Sequence, residues 1–390
     1  MTTTPTPSRV SLGTIIREWT RLGCIGFGGP PTHIALLRRL CVEERHWLDE
    51  HDFEDAIATT NLLPGPASTQ LAIYCAWRLR GKVGALLGGL CFILPGLLLI
   101  LALSVVFLAK HPPLFVLGAA AGAGAAVPAV ALRASWQLVP SSRRRIGVER
   151  SHQFRWFVYA LLGGVAAATI GPLLVLVIVS CGLCEIVVRR QGWRRESSSR
   201  HVVWPLAIVP SVALGGLGAL SWVALKVGAL SYGGGFVIVP LMQHDAVHTY
   251  HWMTAAQFLN AVALGQITPG PVVQTVAVVG YAAAGLAGGL LAASIAFAPS
   301  FFFVLGGAPH FERIRANVPA QSFLKGAGPS VIGAIAGSAI PLGLSFQHLW
   351  QIPILAGAAL WLLIGKRNVV GCLLIAGVVG IVVALTGVPV

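Results

Sequence analysis

The chain has 390 residues, of which 56% are hydrophobic and only 10% are charged. Soluble globular chains carry about 25% charged residues, so this composition excludes a soluble domain and predicts a protein embedded in a lipid bilayer. The formal net charge of +14 would suit nucleic acid, but Arg and Lys cluster in short loops between apolar runs. This distribution is typical of membrane proteins, and we expect no nucleic-acid partner. The polar N-terminus lacks the apolar core of a signal peptide.

The first apolar stretch, residues 11–30, contains Arg17, Glu18 and Arg21, and two interpretations stay open. It is either a span facing the protein interior or an amphipathic entry helix, because an arginine facing lipid costs about 3 kcal/mol or more. The remaining long apolar runs are candidate spans by length and hydrophobicity. They are 83–109, 114–138, 156–171, 172–188, 203–225, 286–306, 323–344, 348–364 and 369–388.

Residues 156–188 are expected to form a tight hairpin that links two halves of the chain. Basic loops flank it at 143–155 and 189–200, and both are expected in the cytoplasm. Cys181 and Cys184 form a CxxC pattern within this hairpin. Because they lie inside an apolar run, we interpret them as small apolar residues of a span rather than as a redox or metal site.

Two stretches of the chain repeat each other at an offset of 205 residues. A gapless alignment runs from Arg21 over Lys226 to Phe92 over Phe297. Within it, His-Trp lies over His-Trp, and LLPGP lies over ITPGP. Internal repeats of this kind are typical of secondary transporters.

The charges of the loops predict opposite orientations for the two repeats. Loop 38–46 contains three arginines, whereas its counterpart 243–251 contains neither Arg nor Lys. The next loops reverse this pattern, since 110–113 contains one lysine and 310–325 contains three basic residues. Because basic loops face the cytoplasm, we predict that the repeats are inverted.

A re-entrant hairpin is predicted in each repeat. Loops 38–46 and 78–82 are both basic, so the segment 52–77 between them must enter and leave by the cytoplasmic face. At 1.5 Å per residue it fits two half-length helices, not two spans, and its Pro-Gly-Pro sequence breaks the helix. Its counterpart at about 255–281 is expected to enter from the other face. The predicted fold is thus an all-α polytopic membrane protein with two inverted-topology repeats, each with a re-entrant hairpin.

The hairpin tips, Leu63–Pro66 (the first tip) and Thr268–Pro271 (the second tip), are predicted to bind an anion. A half-helix begins after each tip, and its free N–H groups and positive dipole end attract anions. Uncharged donors beside both tips suit an oxyanion that must bind and then leave. The alternative is that Pro-Gly-Pro only kinks two ordinary spans. The predicted binding residues are Asn61, Pro64, Gly65, Pro66, Ser68, Thr69, Gln70, Gln266, Thr268, Pro269, Gly270, Pro271, Gln274 and Thr275.

Two further pairs of elements are candidates for the same site. Glycine runs permit close approach of backbone to a ligand, although close helix packing explains them equally well. These glycines are Gly28, Gly29, Gly233, Gly234 and Gly235. Arg21 and Lys226 are equivalent cations near membrane depth. They either supply positive charge to an anion path or extend to the membrane interface.

Residues His244, His248 and His251 follow helical spacing beside Asp245, as in some metal sites. Since the first repeat retains only His46, we prefer an interfacial amphipathic helix, and no metal or cofactor is expected. The sequence contains no Walker A loop, HExxH motif or nucleophile elbow. An ATP-driven pump or a membrane protease is therefore unsupported.

Four motifs resemble those of the chromate ion transporter family, in its long-chain form with two domains. They are FGGPPTHIALL at 27–37, LLPGPASTQLAIY at 62–74, YGGGFVIVPLMQHDAV at 232–247 and GQITPGPVVQT at 265–275. His33, Gln243 and Asp245 also fill family-motif positions. The two halves differ, because Pro30 follows the first Gly-Gly and Gly235 follows the second. The resemblance implies export of chromate or transport of a sulfate-related anion by halves of opposite topology.

We therefore predict a multi-pass transporter of the plasma (inner) membrane that is not an enzyme and that exports chromate, driven by the membrane potential or a proton gradient. A dianion leaving a cell that is negative inside gains about 4.6 kcal/mol per 100 mV. Glu54 and Asp55, with Glu18, are candidates for proton coupling. One alternative is a carrier of sulfate or another small anion. Another, of a different class, is a membrane enzyme acting on an anionic substrate.

The predicted division of the chain has three parts. Residues 1–139 form the N-terminal repeat, 140–204 a linker with a short transmembrane hairpin, and 205–390 the C-terminal repeat. The expected partners are a small inorganic oxyanion, chromate or sulfate, and the lipid bilayer. A homodimer is kept as a candidate assembly.

Overall fold

The computed structural model describes residues 10–61, 63–147, 149–169, 174–193, 216–231, 235–236, 238–307 and 317–389. Every regular element in these ranges is helical, as predicted. The α-helices are α1 Leu12–Ile25, α2 Pro30–Arg38, α3 Glu50–Thr60, α4 Ala67–Phe107, α5 Leu114–Ile146, α6 Arg150–Thr169, α7 Leu174–Trp193, α8 Leu217–Leu230, α9 Ile238–Gln243, α10 Ala255–Ile267, α11 Thr275–Gly307, α12 Val318–Leu344, α13 Gln351–Ala359 and α14 Val369–Leu385. Short π-helical turns follow α2, α9 and α13, at Arg39–Glu44, His244–Thr249 and Leu360–Ile364.

The length and composition of the helices confirm a multi-pass membrane protein. Within the described ranges, α4, α5, α11 and α12 are long and apolar enough to cross a membrane, and α8, α13 and α14 are shorter apolar helices. Large apolar side chains such as Leu98, Phe302 and Leu385 are exposed on them, as contact with lipid requires. The candidate spans coincide with these helices and with α6 and α7, except that most of 203–225 lies outside the described residues.

The stretch 11–30 is not one continuous helix. Helix α1 has 14 residues, about 21 Å, and ends before the glycines that precede α2. It packs against α4, and the indole N–H of Trp19 donates to Ala72 O at 2.9 Å. Glu18 is buried and accepts hydrogen bonds from Arg17 and Arg45 at 2.9 and 3.1 Å. The buried carboxylate of this segment is therefore paired with arginines whose side chains are largely exposed.

Helices α4 and α11 each contain a sharp break at a glycine. Gly81 has φ 59° and Gly285 has φ 62°, the left-handed region in which glycine has no steric cost. Residues on the two sides of each break are in close contact: a Cβ at Gly84 would overlap Ala76 O, and a Cβ at Gly280 would overlap Gly288 O. Residues eight apart in a continuous helix could not approach so closely, so the chain reverses direction at each break. Each long helix is thus a short arm packed closely on a longer one.

The two halves share local backbone geometry at the 205-residue offset up to the tips. Asp49 and Thr254 cap α3 and α10 with the same angles, φ −76° and ψ 163°. His46 and His251 have φ 50° and 53°. The glycines at the two tips have φ 118° and 103°.

Beyond the tips the gapless alignment is wrong by one residue. The break at Gly81 corresponds to Gly285, and Pro95 corresponds to Pro299, which is an offset of 204. Phe92 therefore lies over Ala296 rather than over Phe297. The second half has one residue fewer at this point, in the 3-10 turn Val272–Gln274 that leads into the short arm of α11. A 3-10 turn rises about 2.0 Å per residue against 1.5 Å in an α-helix, so fewer residues cover the same length.

Helices α6 and α7 pack on α12 of the second half. The contact is made by small residues, since a Cβ at Gly163 would overlap Ser330 O and one at Gly326 would overlap Cys181 O. Near it, buried Glu185 pairs with Arg155 at 3.0 Å and with Arg189 at 2.7 Å. Helix α5 continues past residue 139 to Ile146, so the first predicted domain boundary falls within a helix.

Candidate functional site

The first tip connects α3 to the short arm of α4. Asn61 ends α3 and donates its side-chain N–H to Ile57 O at 2.8 Å. The side chain of Gln70 donates to Pro64 O at 2.6 Å and closes the tip from within. Ser68, Thr69 and Gln70 are fully buried in the first turn of α4. The break thus places three polar side chains at the N-terminus of a helix inside the protein.

The second tip connects α10 to the short arm of α11, and several of its donors are hydrogen-bonded. Thr268 donates to Leu264 O at 3.0 Å, and Thr275 donates to Val272 O at 2.9 Å. The amide of Gln274 donates to Ile93 O at 3.0 Å, and Gly270 N donates to Gly26 O at 2.9 Å. Gln274 lies against the tip glycine as Gln70 does in the first half, so these two glutamines are structural equivalents.

Each tip packs against the other half of the protein. A Cβ at Gly65 would lie 3.3 Å from Ser300 Oγ and 3.5 Å from Gly228 O, both of the second half. A Cβ at Gly96, in the first half, would overlap Pro269 O. Ser300 and Gly96 occupy equivalent positions at the 204-residue offset. Each tip is therefore in close contact with residues of the other repeat.

Buried polar atoms without a hydrogen-bond partner in the described part of the chain include five near the tips. They are Thr69 Oγ1, Gln70 Oε1, Ser231 Oγ, Gln266 Nε2 and Ser300 Oγ. Such atoms are rare in native proteins, because leaving a buried polar group unpaired costs about 1–3 kcal/mol. Four of the five atoms can donate a hydrogen bond, whereas Gln70 Oε1 can only accept one. Binding of an anion by these donors stays a prediction.

One titratable side chain connects the two tips. His33 on α2 is fully buried, with Nδ1 3.1 Å from Ser68 Oγ and Nε2 2.9 Å from Gly26 O. Gly26 O is also the acceptor for Gly270 N. The ring of Phe92 meets the imidazole edge-on at 5.1 Å. Sequence motifs marked His33, but only the structure places it against Ser68.

Two glycines of the glycine runs, Gly29 and Gly235, lie beside Val272 at the second tip. Gly28 and Gly29 have φ 97° and 77°, and Gly29 precedes α2. Gly235 has φ 89°, and a Cβ there would lie 3.3 Å from Val272 Cβ. Gly233 and Gly234 lie outside the described residues. The described glycines therefore permit tight turns and close packing, and ligand contact stays a prediction.

The two predicted cations are engaged by carboxylates. Arg21 pairs with Glu18 at 3.2 Å, and Lys226 pairs with Asp245 at 2.6 Å. Asp245 is itself mostly buried, so its charge is compensated chiefly by the lysine. A role for either cation in an anion path stays a prediction.

Glu54 and Asp55 lie in the middle of α3 rather than at the tips. Glu54 pairs with Arg38 of α2, and Asp55 lies 3.8 Å from His51 Nδ1. Both carboxylates are more than a third exposed. Proton coupling through them therefore requires a connection along α3 to the tip, and it stays a prediction.

The comparison with known proteins identifies the family. A family model for chromate transporters matches residues 13–186 and 218–381. This chain belongs to the chromate transporter family.

Relatives within this family are similar over nearly their whole length. The chromate transport protein of Cupriavidus metallidurans is 31% identical over 379 residues, which cover 90% of this chain and 92% of the relative. A probable chromate transport protein of Synechococcus elongatus is 29% identical, with 95% of each chain covered. The chromate transport protein of Pseudomonas aeruginosa is 30% identical, with 97% and 94% covered. No solved structure matches.

The histidines that suggested a metal site in this transporter do not converge. The ring centroids of His244 and His248 lie 5.7 Å apart, whereas the ring of His251 is turned to the backbone, with Nδ1 2.8 Å from Val247 O. Among the residues described, no group of three or more His, Cys, Asp or Glu has the geometry to hold a metal ion. Cys181 and Cys184 are both present as free thiols.

A separate cavity of about 310 Å³ lies beside the start of α10 of the transporter. Its lining includes Lys110, Asn260, His348 and Gln351. Asn260 is the counterpart of Asp55 in the repeat. The topology predicted from the loop charges would put this cavity on the face opposite the basic loops, and its role in an anion path stays a prediction.

Proposed function

We propose that this member of the family transports an oxyanion, with chromate as the first candidate, past the two tips. The observation that carries the proposal is the group of buried hydroxyls and amides with no partner in the described residues, among them Thr69, Ser231 and Ser300. Buried donors close to a helix N-terminus suit an oxyanion. Because these donors are uncharged, the anion is able to leave again. The names of the relatives support the choice of chromate.

The proposed architecture is a pair of inverted repeats with re-entrant hairpins. Its support is that the same break, cap and tip geometry occurs in both halves, whereas the charges of the corresponding loops are opposite. We propose the division 1–139, 140–204 and 205–390, with the plasma membrane as the location. A homodimer stays a prediction that the mass of the protein in detergent would test.

Export down the membrane potential is the proposed direction. At roughly 150 mV, a dianion leaving the cell gains about 7 kcal/mol, so no ATP is needed. A sulfate carrier is the alternative within transport, since sulfate has the same shape and charge. Competition between labelled chromate and sulfate distinguishes the two. A membrane enzyme is disfavoured because the relatives that carry names of function are transport proteins.

The test is flux of labelled chromate into liposomes that contain the purified protein. We expect Thr69→Ala and Ser300→Ala each to reduce flux about tenfold to hundredfold, because each removes a donor to a charged ligand worth about 1.5–3 kcal/mol. Ser294→Ala on the exposed face of α11 is the matched control, since its hydroxyl only bonds Leu290 O. Normal flux in the Thr69→Ala, Ser300→Ala double variant would show that the tips are only structural.

A further inference from the structure

We propose that His33 and Ser68 form a switch that couples binding of one proton to binding of the oxyanion at the first tip. When His33 is neutral, the Ser68 hydroxyl hydrogen is held by the imidazole; when His33 is protonated, that hydrogen is released toward the tip. The proposal rests on the proposed function, because the tip must bind an oxyanion. It assigns proton coupling to a residue that has no counterpart in the second half, where Ile238 stands at this position.

The hydrogen bonds fix the resting state of the switch. Gly26 O can only accept, and it lies 2.9 Å from both His33 Nε2 and Gly270 N. Nε2 therefore carries the hydrogen in the neutral ring, and Nδ1 is an acceptor. Ser68 Oγ, 3.1 Å from Nδ1, must then donate its hydrogen to the ring. In this state Ser68 offers the tip only lone pairs, which repel an anion.

Protonation reverses the direction of this bond. A proton from water at the tip adds to Nδ1, which becomes a donor to Ser68 Oγ, while Nε2 continues to donate to Gly26 O. The Ser68 hydroxyl then turns its hydrogen toward the tip. Thr69 Oγ1, next in the chain, is buried and unpartnered in the described structure, so it is a second donor in the same helical turn. The oxyanion gains one donor and one nearby positive charge in a single step.

The groups that contact the imidazole of His33 are uncharged, so its protonation depends on whether an anion is bound at the tip. Its ring contacts are Gly26 O, Ser68 and the uncharged ring of Phe92. Eight charged groups on or beside the elements packed on α2 form ion pairs that do not include the imidazole. Those of α1 and of the π-turn region after α2 pair with one another, and those of α2 and α4 pair with the carboxylates of α3; these groups are Arg17, Glu18, Arg21, Arg39, Glu44, Arg45, Arg38 and Arg78. Cys24 is exposed, and the thiols Cys41 and Cys75 are buried beside each other. An oxyanion at the tip is thus the counter-charge that a buried imidazolium lacks.

Coupling to a proton also changes the net charge that is transported in each cycle. If the proton travels with a chromate dianion, each cycle carries one net negative charge instead of two. Outward movement of the loaded site still follows an interior-negative potential. A mutant that cannot take the proton should carry two charges per chromate.

The test measures binding of labelled chromate to the purified transporter over a series of pH values. Ratios of variant to wild type are compared at each pH, which cancels the titration of chromate itself. We expect Ser68→Ala to weaken binding about tenfold or more at pH values where His33 is protonated and to have little effect where it is neutral. A fixed donor would give the same loss at every pH, and that result would overturn the proposal.

His33→Gln supplies the second arm, because its amide can still donate to Gly26 O but takes no proton. It should bind chromate with the weaker affinity at all pH values, and adding Ser68→Ala should change the pH dependence no further. His152→Gln, a histidine of α6 beside Glu149, should behave as wild type. Asp55→Asn and Glu54→Gln should keep the pH dependence, and its loss in either would overturn the proposal. Failure of wild type to bind chromate at any pH would instead remove the proposed function.

Discussion

The backbone N–H of Gly270 donates to the carbonyl of Gly26 at 2.9 Å and fastens the second tip to the end of α1. The same carbonyl lies 2.9 Å from His33, which contacts Ser68 at the first tip. One carbonyl of the first half therefore contacts the second tip directly and the first tip through a single side chain. A displacement of either tip must change the hydrogen bonding at this point.

Gly96→Ala should displace the second tip. The added methyl group would overlap Pro269 O and approach the amide of Gln274 to 2.5 Å, so the tip must shift. Overpacking of this kind costs about 1–3 kcal/mol, and we expect a lower melting temperature together with a loss of chromate flux. Gly306→Ala in α11 is the control, because a methyl group there meets open space. Wild-type flux and stability in Gly96→Ala would contradict the close contact between the halves.

Lys226 and Asp245 should behave as a structural pair. Lys226→Met leaves the mostly buried Asp245 uncompensated, and a loss of about 3 kcal/mol in stability is expected. Lys226→Met combined with Asp245→Leu should recover most of that stability, since a hydrophobic pair replaces an ion pair at little cost. Thermal unfolding in detergent measures both. If the double variant is stable but transports no chromate, Lys226 acts on the anion path as well.

Glu185→Gln should loosen the hairpin of α6 and α7. The carboxylate accepts from Arg155, Arg189 and Tyr159, so its neutralisation leaves two guanidinium groups without their partner. We expect a loss of about 2–3 kcal/mol in stability, at the low end for a buried pair because the arginines are partly exposed. Glu149→Gln, at a largely exposed carboxylate, should change stability by less than about 0.5 kcal/mol. An equal effect of the two substitutions would contradict a structural role for Glu185.

Cysteine labelling should place residues 140–155 and 189–200 in the cytoplasm and 243–251 outside. The reason is the density of Arg in the first two segments and its absence from the third. A membrane-impermeant maleimide applied to intact cells, then to opened cells, distinguishes the two faces. A cytoplasmic position for 243–251 would rule out the inverted arrangement.

Local signals in the sequence were enough to predict the apolar helices and the Pro-Gly-Pro breaks between them. The Pro-Gly-Pro breaks, the caps at Asp49 and Thr254 and the apolar spans are each set by neighbouring residues. The one-residue shift was not visible, because it arises from a 3-10 turn at Val272–Gln274 that the alignment of identical residues conceals.

Contacts between the halves were out of reach of the sequence. Ser300 lies in an apolar helix and carries no motif, and only its position against Gly65 marks it. The pairing of Arg21 with Glu18 follows helical i, i+3 spacing and was foreseeable, whereas that of Lys226 with Asp245 depends on how α8 and the turn after α9 pack. The role of His33 likewise depends on a contact with Ser68, 35 residues away.

The packing of each tip against the other half also has a consequence for the order of folding during biosynthesis. Gln274 and Ile93, which are hydrogen-bonded in the finished protein, are 181 residues apart. At about 5–20 residues per second, the ribosome needs about 10–35 s to add the later partner after the earlier one. During that interval the first half lacks the partner that its Ile93 carbonyl has in the finished protein. We therefore expect the first half to reach its final packing only after the second tip has been synthesised.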